Sequence, residues 1–492
     1  MLYTGEQLRE IIFPLGGIGT GSIGLAGNGC LVDWEIFNRP NKGSFNDYSH
    51  FAVRAAYPDG KVVTRILQGD QIKDLMGQYQ QKTFRGYGYG PNVPTLCGFP
   101  HFRDVSFDGS FPIATLTFAD EAFPAVIVMR AFNPFLPLDA DNSGIPAAFF
   151  DIEVQSKVDD VTYTVLFSVR NPFGGSVNEK IPMDGCTAVQ MRGTGKASGE
   201  IGYGDLTVAA DDPKGLYQEY WYRGGWRDAM TTFWHELSAG TIENRRYDSP
   251  GSGDICSVGS TAMIAAHQSH SFRFLLSWNV PNNHNDWDAE KNGNIIWKNY
   301  YATQFADSAA SCCYAFANWD MLYEKTAQFG ESLHTATLDS AVIDAVSATL
   351  SVLKTATVWR LEDGTFYGWE GLHEQSGSCE GTCTHVWSYQ YALCFLFPEL
   401  ERSLRETEFK YDTDADGRMY FRTALPLGDG YVVQPPCVDG QMMTVLKIYR
   451  DWKLTGNSGW LRENWGNIKK VLEYAWSSKN AYEWDRDKDG VL

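Results

Sequence analysis

The spacing of apolar residues changes once along this chain, and that change limits the folds open to it. Up to about residue 280, apolar residues alternate with polar ones in short runs broken by Gly, Pro, Asn and Asp: 51–56, 61–67, 113–118, 125–131, 147–154, 161–169, 206–210 and 271–280. A two-residue period sends neighbouring side chains to opposite faces of a strand, and many short strands between frequent turns predict an antiparallel sandwich. The polar run Pro281-Asn282-Asn283-His284-Asn285-Asp286 interrupts the pattern. Beyond residue 300 the apolar spacing becomes three and four, over 301–329, 337–357, 384–409, 441–455 and 458–477. That spacing predicts helices. Pro398 either kinks the third helix or starts a new one, Gly456 stops the fourth, and Ser458 caps the fifth. The expected class is α+β, with a β-sandwich domain over 1–285 and a helical domain over 286–492.

A chain of 492 residues is long enough for two or three domains with sizeable cores. A formal charge of −19 argues against a nucleic-acid partner, which needs a basic face. No Lys/Arg run suits an anionic membrane, and no apolar run approaches the roughly 18 residues of a span. The opening MLYTGEQLREIIFPLGG lacks the basic and apolar regions of a secretory leader. Ten scattered cysteines fit buried free thiols in a reducing compartment, so a cytoplasmic location is expected. Oligomeric state is not legible.

Chemistry concentrates in Phe366-Tyr367-Gly368-Trp369-Glu370-Gly371 and Ser378-Cys379-Glu380-Gly381-Thr382-Cys383-Thr384-His385-Val386-Trp387. Trp369 and Trp387 offer flat faces for a sugar ring, the glycines allow close approach, and Glu370 and Glu380 supply carboxylates. An ordinary loop with two solvated glutamates has the same letters, and Trp387 also suits a core. Cys379, Cys383 and His385 form a C-x3-C-x-H group with zinc-type donors, although a structural zinc site needs a fourth ligand. Two Asp-x-Asp-x-Asp-Gly runs start at Asp412 and Asp485. Alternate carboxylates can converge on calcium, so Asp485, Asp487 and Asp489 are candidate ligands, while charged turns have the same letters. Gly19-Thr20-Gly21-Ser22-Ile23-Gly24 fits the dinucleotide pattern, but the glycines that follow would break the helix the pattern requires. No organic cofactor is expected.

Four colinear stretches resemble glycoside hydrolase family 116, the family of the bile-acid β-glucosidase or non-lysosomal glucosylceramidase and of related microbial enzymes. They are Phe13-Pro14-Leu15-Gly16-Gly17-Ile18-Gly19-Thr20-Gly21-Ser22-Ile23-Gly24 with Trp34; Arg130-Ala131-Phe132-Asn133-Pro134-Phe135-Leu136-Pro137 with Ser143-Gly144-Ile145-Pro146; Trp369-Glu370-Gly371 followed by 381–409; and 445–456 with 485–490. The resemblance implies a β-sandwich followed by an (α/α)6 barrel, of which the five helical segments would be the first part. It also implies a retaining exo-β-glycosidase, most simply a β-glucosidase, acting on a small or oligosaccharide β-glycoside.

The family's nucleophile is a glutamate followed by glycine, a place taken here by Glu370. The spacing to the next motif is a few residues longer than in animal relatives, which keeps Glu380, and behind it Glu374, as rivals. The carboxylate that holds the sugar in relatives aligns with Thr384. The family's His-Asp pair is missing from Leu425-Pro426-Leu427-Gly428-Asp429-Gly430, leaving His385, Asp439 and Gln441 to compensate and pointing to a microbial branch. Trp34 and Glu35 would line the site. The family's acid/base aspartate follows a motif on which this sequence ends, so a natural chain extending past Leu492 is expected. Asp363, Asp429 and Asp439 are substitute acids. Two other readings are a carbohydrate-binding or scaffold protein without turnover, and a metal-dependent hydrolase at Cys379, Cys383 and His385.

Overall fold

A computed structural model describes residues 1–69, 96, 98–226, 228–288, 295–432 and 434–490. Its contacts divide the chain into two compact units. The first comprises Met1–Leu136, Asn142–Asn282 and Tyr301–Ala356; the second comprises Pro137–Asp141, Asn283–Tyr300 and Thr357–Leu492. Helices that the change of period alone assigns to the second domain thus pack within the first unit.

In the first unit, a ten-stranded antiparallel sheet has Ala125–Phe132, Ala147–Ser156, Ser269–Asn279 and Asp205–Ala210 as its central strands. A five-stranded antiparallel sheet centres on Ile255–Ile264, Val161–Arg170 and His50–Ala56. Phe149 stands opposite Leu275, and Phe150 opposite Phe274. Because consecutive residues face opposite ways, Phe150 and Phe274 meet the five-stranded sheet. There Phe51 stacks on Phe167 at 4.0 Å between ring centres and lies 5.0 Å from Phe150 and 5.5 Å from Phe274. Phe149 and Leu275 face the other way, joining Phe132 and Ala209 under Cys312, Ala315, Trp319 and Leu322. One sheet therefore serves two cores, so its central strands are apolar on both faces. Burying each of these rings stabilises the fold by about 1.5–3 kcal/mol.

The helices of this unit are more broken than their apolar period predicts. The expected helix over 301–329 is three: Tyr301–Gln304, Ser308–Ala317 and Trp319–His334. Asp307 caps the second by accepting the Ala310 N–H at 2.8 Å, and Ser308 donates its backbone N–H to Asp205 at 2.8 Å. Asn318 sends its side-chain amide back to the Tyr314 carbonyl at 2.9 Å, a local bond that competes with helix continuation. The next helix is Ser340–Leu350, continued by a 3-10 turn, Ser351–Lys354.

The glycine-rich N-terminal stretch forms no phosphate-binding turn. Ile12–Leu15, Ile23–Ala26 and Leu31–Val32 make a three-stranded sheet with no helix after the glycines, as the glycines at 27 and 29 predict. Gly17 packs so closely on the second stretch that a Cβ would lie 2.6 Å from the Ile145 carbonyl oxygen. The Ile18 N–H donates to Ser143 O at 2.8 Å. Lys354 closes this joint. Its ammonium is buried and donates to Asn133 Oδ1 at 2.7 Å, Pro134 O at 2.6 Å and Ser143 O at 2.8 Å. Burial pushes the pKa of this amine well down, yet three oxygen acceptors require three N–H bonds, which only the ammonium form has.

The second unit holds a hairpin, Val358–Arg360 with Phe366–Gly368, and helices Thr384–Trp387, Leu393–Leu396, Pro398–Tyr411, Val438–Thr455 and Ser458–Glu473. Pro398 starts a helix of its own, and Gly456 ends the next in a left-handed conformation (φ 69°). The cap of the last helix is Asn457, accepting the Trp460 N–H, rather than Ser458. Helix Val438–Thr455 buries Gln441, Thr444, Lys447 and Asp451, while Leu446 and Tyr449 are exposed. Thr444 donates to Glu408 at 2.9 Å, Arg405 to Glu408 at 2.6 Å, and Arg402 to Asp451 at 3.1 Å. Lys447 donates to Trp387 O, and burial followed by the charge of Arg405 brings it down to about 7. Apolar spacing identifies this helix but not its buried polar residues, whose partners lie largely on Pro398–Tyr411.

Candidate active site

The hairpin aims Glu370. Trp369 N–H bonds to Thr357 O at 3.0 Å, which carries the pairing past Gly368. With strand alternation Tyr367 and Trp369 then face one way and Glu370 the other. Tyr367 and Trp369 sink into a cluster with Trp287, Trp297, Trp359, Leu361 and Leu425. Trp369 is 2% exposed and gives its indole N–H to Cys379 O at 2.6 Å. It is a core side chain that fixes the strand, not an open platform.

Glu370 keeps its side chain 31% exposed and takes the Arg422 guanidinium at 2.7 Å. Burial pushes its pKa up, but the Arg422 hydrogen bond and the charges of Arg422 and His385 outweigh that and hold it below the ordinary glutamate range. The other arm of Arg422 donates to Glu380 O at 2.7 Å. Glu380 thus contributes its backbone, and its half-buried side chain lies on the same loop. The loop is fixed from behind: Gly381 N–H meets the Tyr367 hydroxyl at 2.5 Å, Thr382 bonds Thr423 at 2.7 Å, and Thr423 donates to buried Asp412 at 2.6 Å. Desolvation raises the Asp412 pKa well above the usual range.

A second polar group comes from two helix starts. His385, in Thr384–Trp387, places Nδ1 2.5 Å from Asp439 Oδ2, in the first turn of Val438–Thr455. Asp439 Oδ1 accepts the Gly440 N–H at 2.8 Å and the Cys437 thiol at 2.7 Å. Gly440 makes the approach possible, since a Cβ there would lie 2.5 Å from Thr384 Oγ1 and 2.8 Å from His385 N. Burial raises Asp439, yet the bonds from Cys437, His385 and Gly440 hold it below the ordinary aspartate range. Burial and the Asp439 bond push Cys437 up to about 12. A His-Asp pair, which Leu425–Gly430 lacks in sequence, is thus assembled here from residues 54 apart.

The other residues named from sequence fall as follows. Gln441 is buried and bonds Met419 N, Gly417 O and Val471 O, so its amide is fully used in the core. Thr384 is 4% exposed and Trp387 9%, the latter packed edge-on to Phe366 at 5.3 Å. Trp34, in the first unit, is 3% exposed with its indole N–H on Leu31 O. Glu35 is buried beside Lys42 at 3.2 Å. Asp363 accepts Thr365 N–H as a turn residue of the hairpin. Asp429 is exposed, and Glu374 is half-buried.

The metal-type groups also sort themselves. Among the described residues, His385 gathers with Cys437 and Asp439 rather than with Cys379 and Cys383. Asp485, Asp487 and Asp489 bring their carboxylates within 4.8 Å of one another. In the first Asp-rich run, Asp412 is engaged with Thr423, and Asp414 accepts the Asp416 and Arg418 N–H groups as a turn. No described helix is long and apolar enough to cross a membrane. Arg422 and Cys437 are the site residues that sequence reading missed. Arg422 has no local signature, and the only trace of Cys437 is its place two residues before Asp439.

The sequence profile described as "beta-glucosidase 2, glycosyl-hydrolase family 116 N-term" matches residues 13–322. Among solved structures, a candidate kojibiose phosphorylase from the human microbiome aligns over 85% of this chain and 48% of its own, at 11% identity and a TM-score of 0.35. A family GH92 α-mannosidase from Bacteroides thetaiotaomicron aligns over 97% of this chain and 61% of its own, at 11% identity and a TM-score of 0.33. The chain spans about half to three-fifths of the length of these two structures. Likeness at such scores carries no weight for fold or chemistry.

Proposed function

The chain belongs to glycoside hydrolase family 116, and from that premise we propose that it serves as a retaining exo-β-glycosidase on a β-linked glucoside, with Glu370 as nucleophile. The observation that carries this reading is the Glu370–Arg422 pair at 2.7 Å. A nucleophilic carboxylate must be ionised when the sugar arrives, and Arg422 keeps it so. The glutamate is half open to solvent, fixed by a core-anchored hairpin, and within the field of His385. The His385–Asp439 pair supplies a donor and an acceptor for sugar hydroxyls, taking the place of the pair missing from Leu425–Gly430.

The reaction needs a second carboxyl that gives a proton to the leaving oxygen. Asp439 is ill suited, because its neighbours hold it ionised. In this reading the helices of the second unit belong to an (α/α)6 barrel.

Labelling with 2-deoxy-2-fluoro-β-glucosyl fluoride tests the assignment, since fluoride departs without acid help. The expected result is one covalent adduct, mapped by mass spectrometry to the peptide carrying Glu370 and absent from Glu370→Gln. An adduct on Glu380 would move the nucleophile. A folded protein that takes no label, yet binds glucosides, would establish the non-catalytic carbohydrate-binding reading instead.

A further inference from the structure

We infer that His385, Cys437 and Asp439 form a binding site for a zinc-class transition-metal ion with one coordination position left open. This inference replaces the direct sugar contact given to His385 and Asp439 above and leaves the Glu370 assignment untouched, since it rests on the donor set alone. One imidazole nitrogen, one thiol sulfur and one carboxylate oxygen lie within 4.8 Å of one another. Tetrahedral zinc holds such donors at about 2.0–2.3 Å, and donors gathered this closely need only small side-chain turns to reach one ion. Nitrogen and sulfur favour zinc, cobalt or copper over magnesium or calcium, which prefer all-oxygen sites.

Two further observations point the same way. Cys437 Sγ lies 2.7 Å from Asp439 Oδ1, whereas other sulfur contacts of this chain measure 3.2–3.7 Å. The sulfur and the carboxylate thus already face one another. The donors also come from two separate segments that meet only because residue 440 is glycine. Among the described residues no fourth donor joins the three, and a site with three protein ligands leaves a place for water or a substrate oxygen. On binding, the Cys437 thiol proton leaves to solvent and a metal–thiolate bond replaces it.

Cobalt(II) titration of the metal-free full chain tests this directly. The expected result is a near-ultraviolet thiolate-to-cobalt band that saturates at one equivalent and is displaced by zinc. Cys437→Ser should abolish the band, and His385→Gln should weaken affinity by about 100-fold or more, at or above the cost of losing an outer-shell partner. Both side chains are partly exposed, and circular dichroism of the metal-free variants checks that they fold. A folded wild-type chain with no saturable band overturns the inference. So does a band that survives Cys437→Ser and vanishes in Cys383→Ser, which would place the ion on other thiols. Labelling of Glu370 by the fluoroglucoside is read separately, so either result can fail without the other.

Discussion

Arg422 serves the loop of Glu370 twice, through the Glu380 carbonyl and through the Glu370 carboxylate. Replacing it with methionine keeps the stem and removes the charge. The Glu370 pKa then rises, so the acid limb of the kcat/KM profile should move to higher pH. An adjacent opposite charge lowers a carboxyl, so removing it moves the limb up, by less than for a buried pair because solvent screens this half-exposed one. The profile is read with an aryl glucoside that leaves without acid help. Arg422→Lys should shift less, because it keeps the charge while losing the fork that reaches both acceptors. An unmoved limb would detach Arg422 from the titration. At this scale the sequence shows Glu370, since WEG is a local signature, but Arg422 is 52 residues away and only folding reveals it. Trp369 was legible as an aromatic beside the carboxylate; its inward direction was not, because one step of strand alternation decides it.

Gly440 makes a prediction at the scale of helices. Exchanging glycine for alanine inside a helix normally stabilises by about 0.5–1 kcal/mol. At 440 the new methyl would press on Thr384 and the His385 backbone, and overpacking costs about 1–3 kcal/mol. Gly440→Ala should therefore lower the urea midpoint. Gly466→Ala, in Ser458–Glu473 with nothing within 4 Å of its Cβ, should raise it. Equal shifts would refute the close approach of the two helix starts. Strands such as Ile113–Ala119 were legible because alternation and burial agree along them. Helix breaks at Asp307 and Asn318 were not, since each depends on a side-chain bond invisible to apolar spacing. The inward polar face of Val438–Thr455 escaped for a related reason. Its burial is decided by Arg405 and Glu408 on another helix.

Across the whole molecule, the stretches that carry the family likeness divide their labour. Those of the first unit form a structural joint, where Gly17 packs on Ile145 and Lys354 bonds Asn133, Pro134 and Ser143. The stretch around Glu370 carries the chemistry in the function proposed above. Sequence likeness flagged both, and only packing distinguishes them. The joint also sets a clock during synthesis. Lys354 follows Asn133 by 221 residues, so at about 5–20 residues per second its acceptors wait about 10–45 s for their donor. Nascent chains stalled before Lys354 leaves the ribosome should be cut by protease around 133–143, and chains released past it should resist. Equal resistance would show that the joint closes without its lysine. Until that one ammonium arrives, the loops around Asn133 and Ser143 have no shared donor, and the order of synthesis makes this joint a late-closing one.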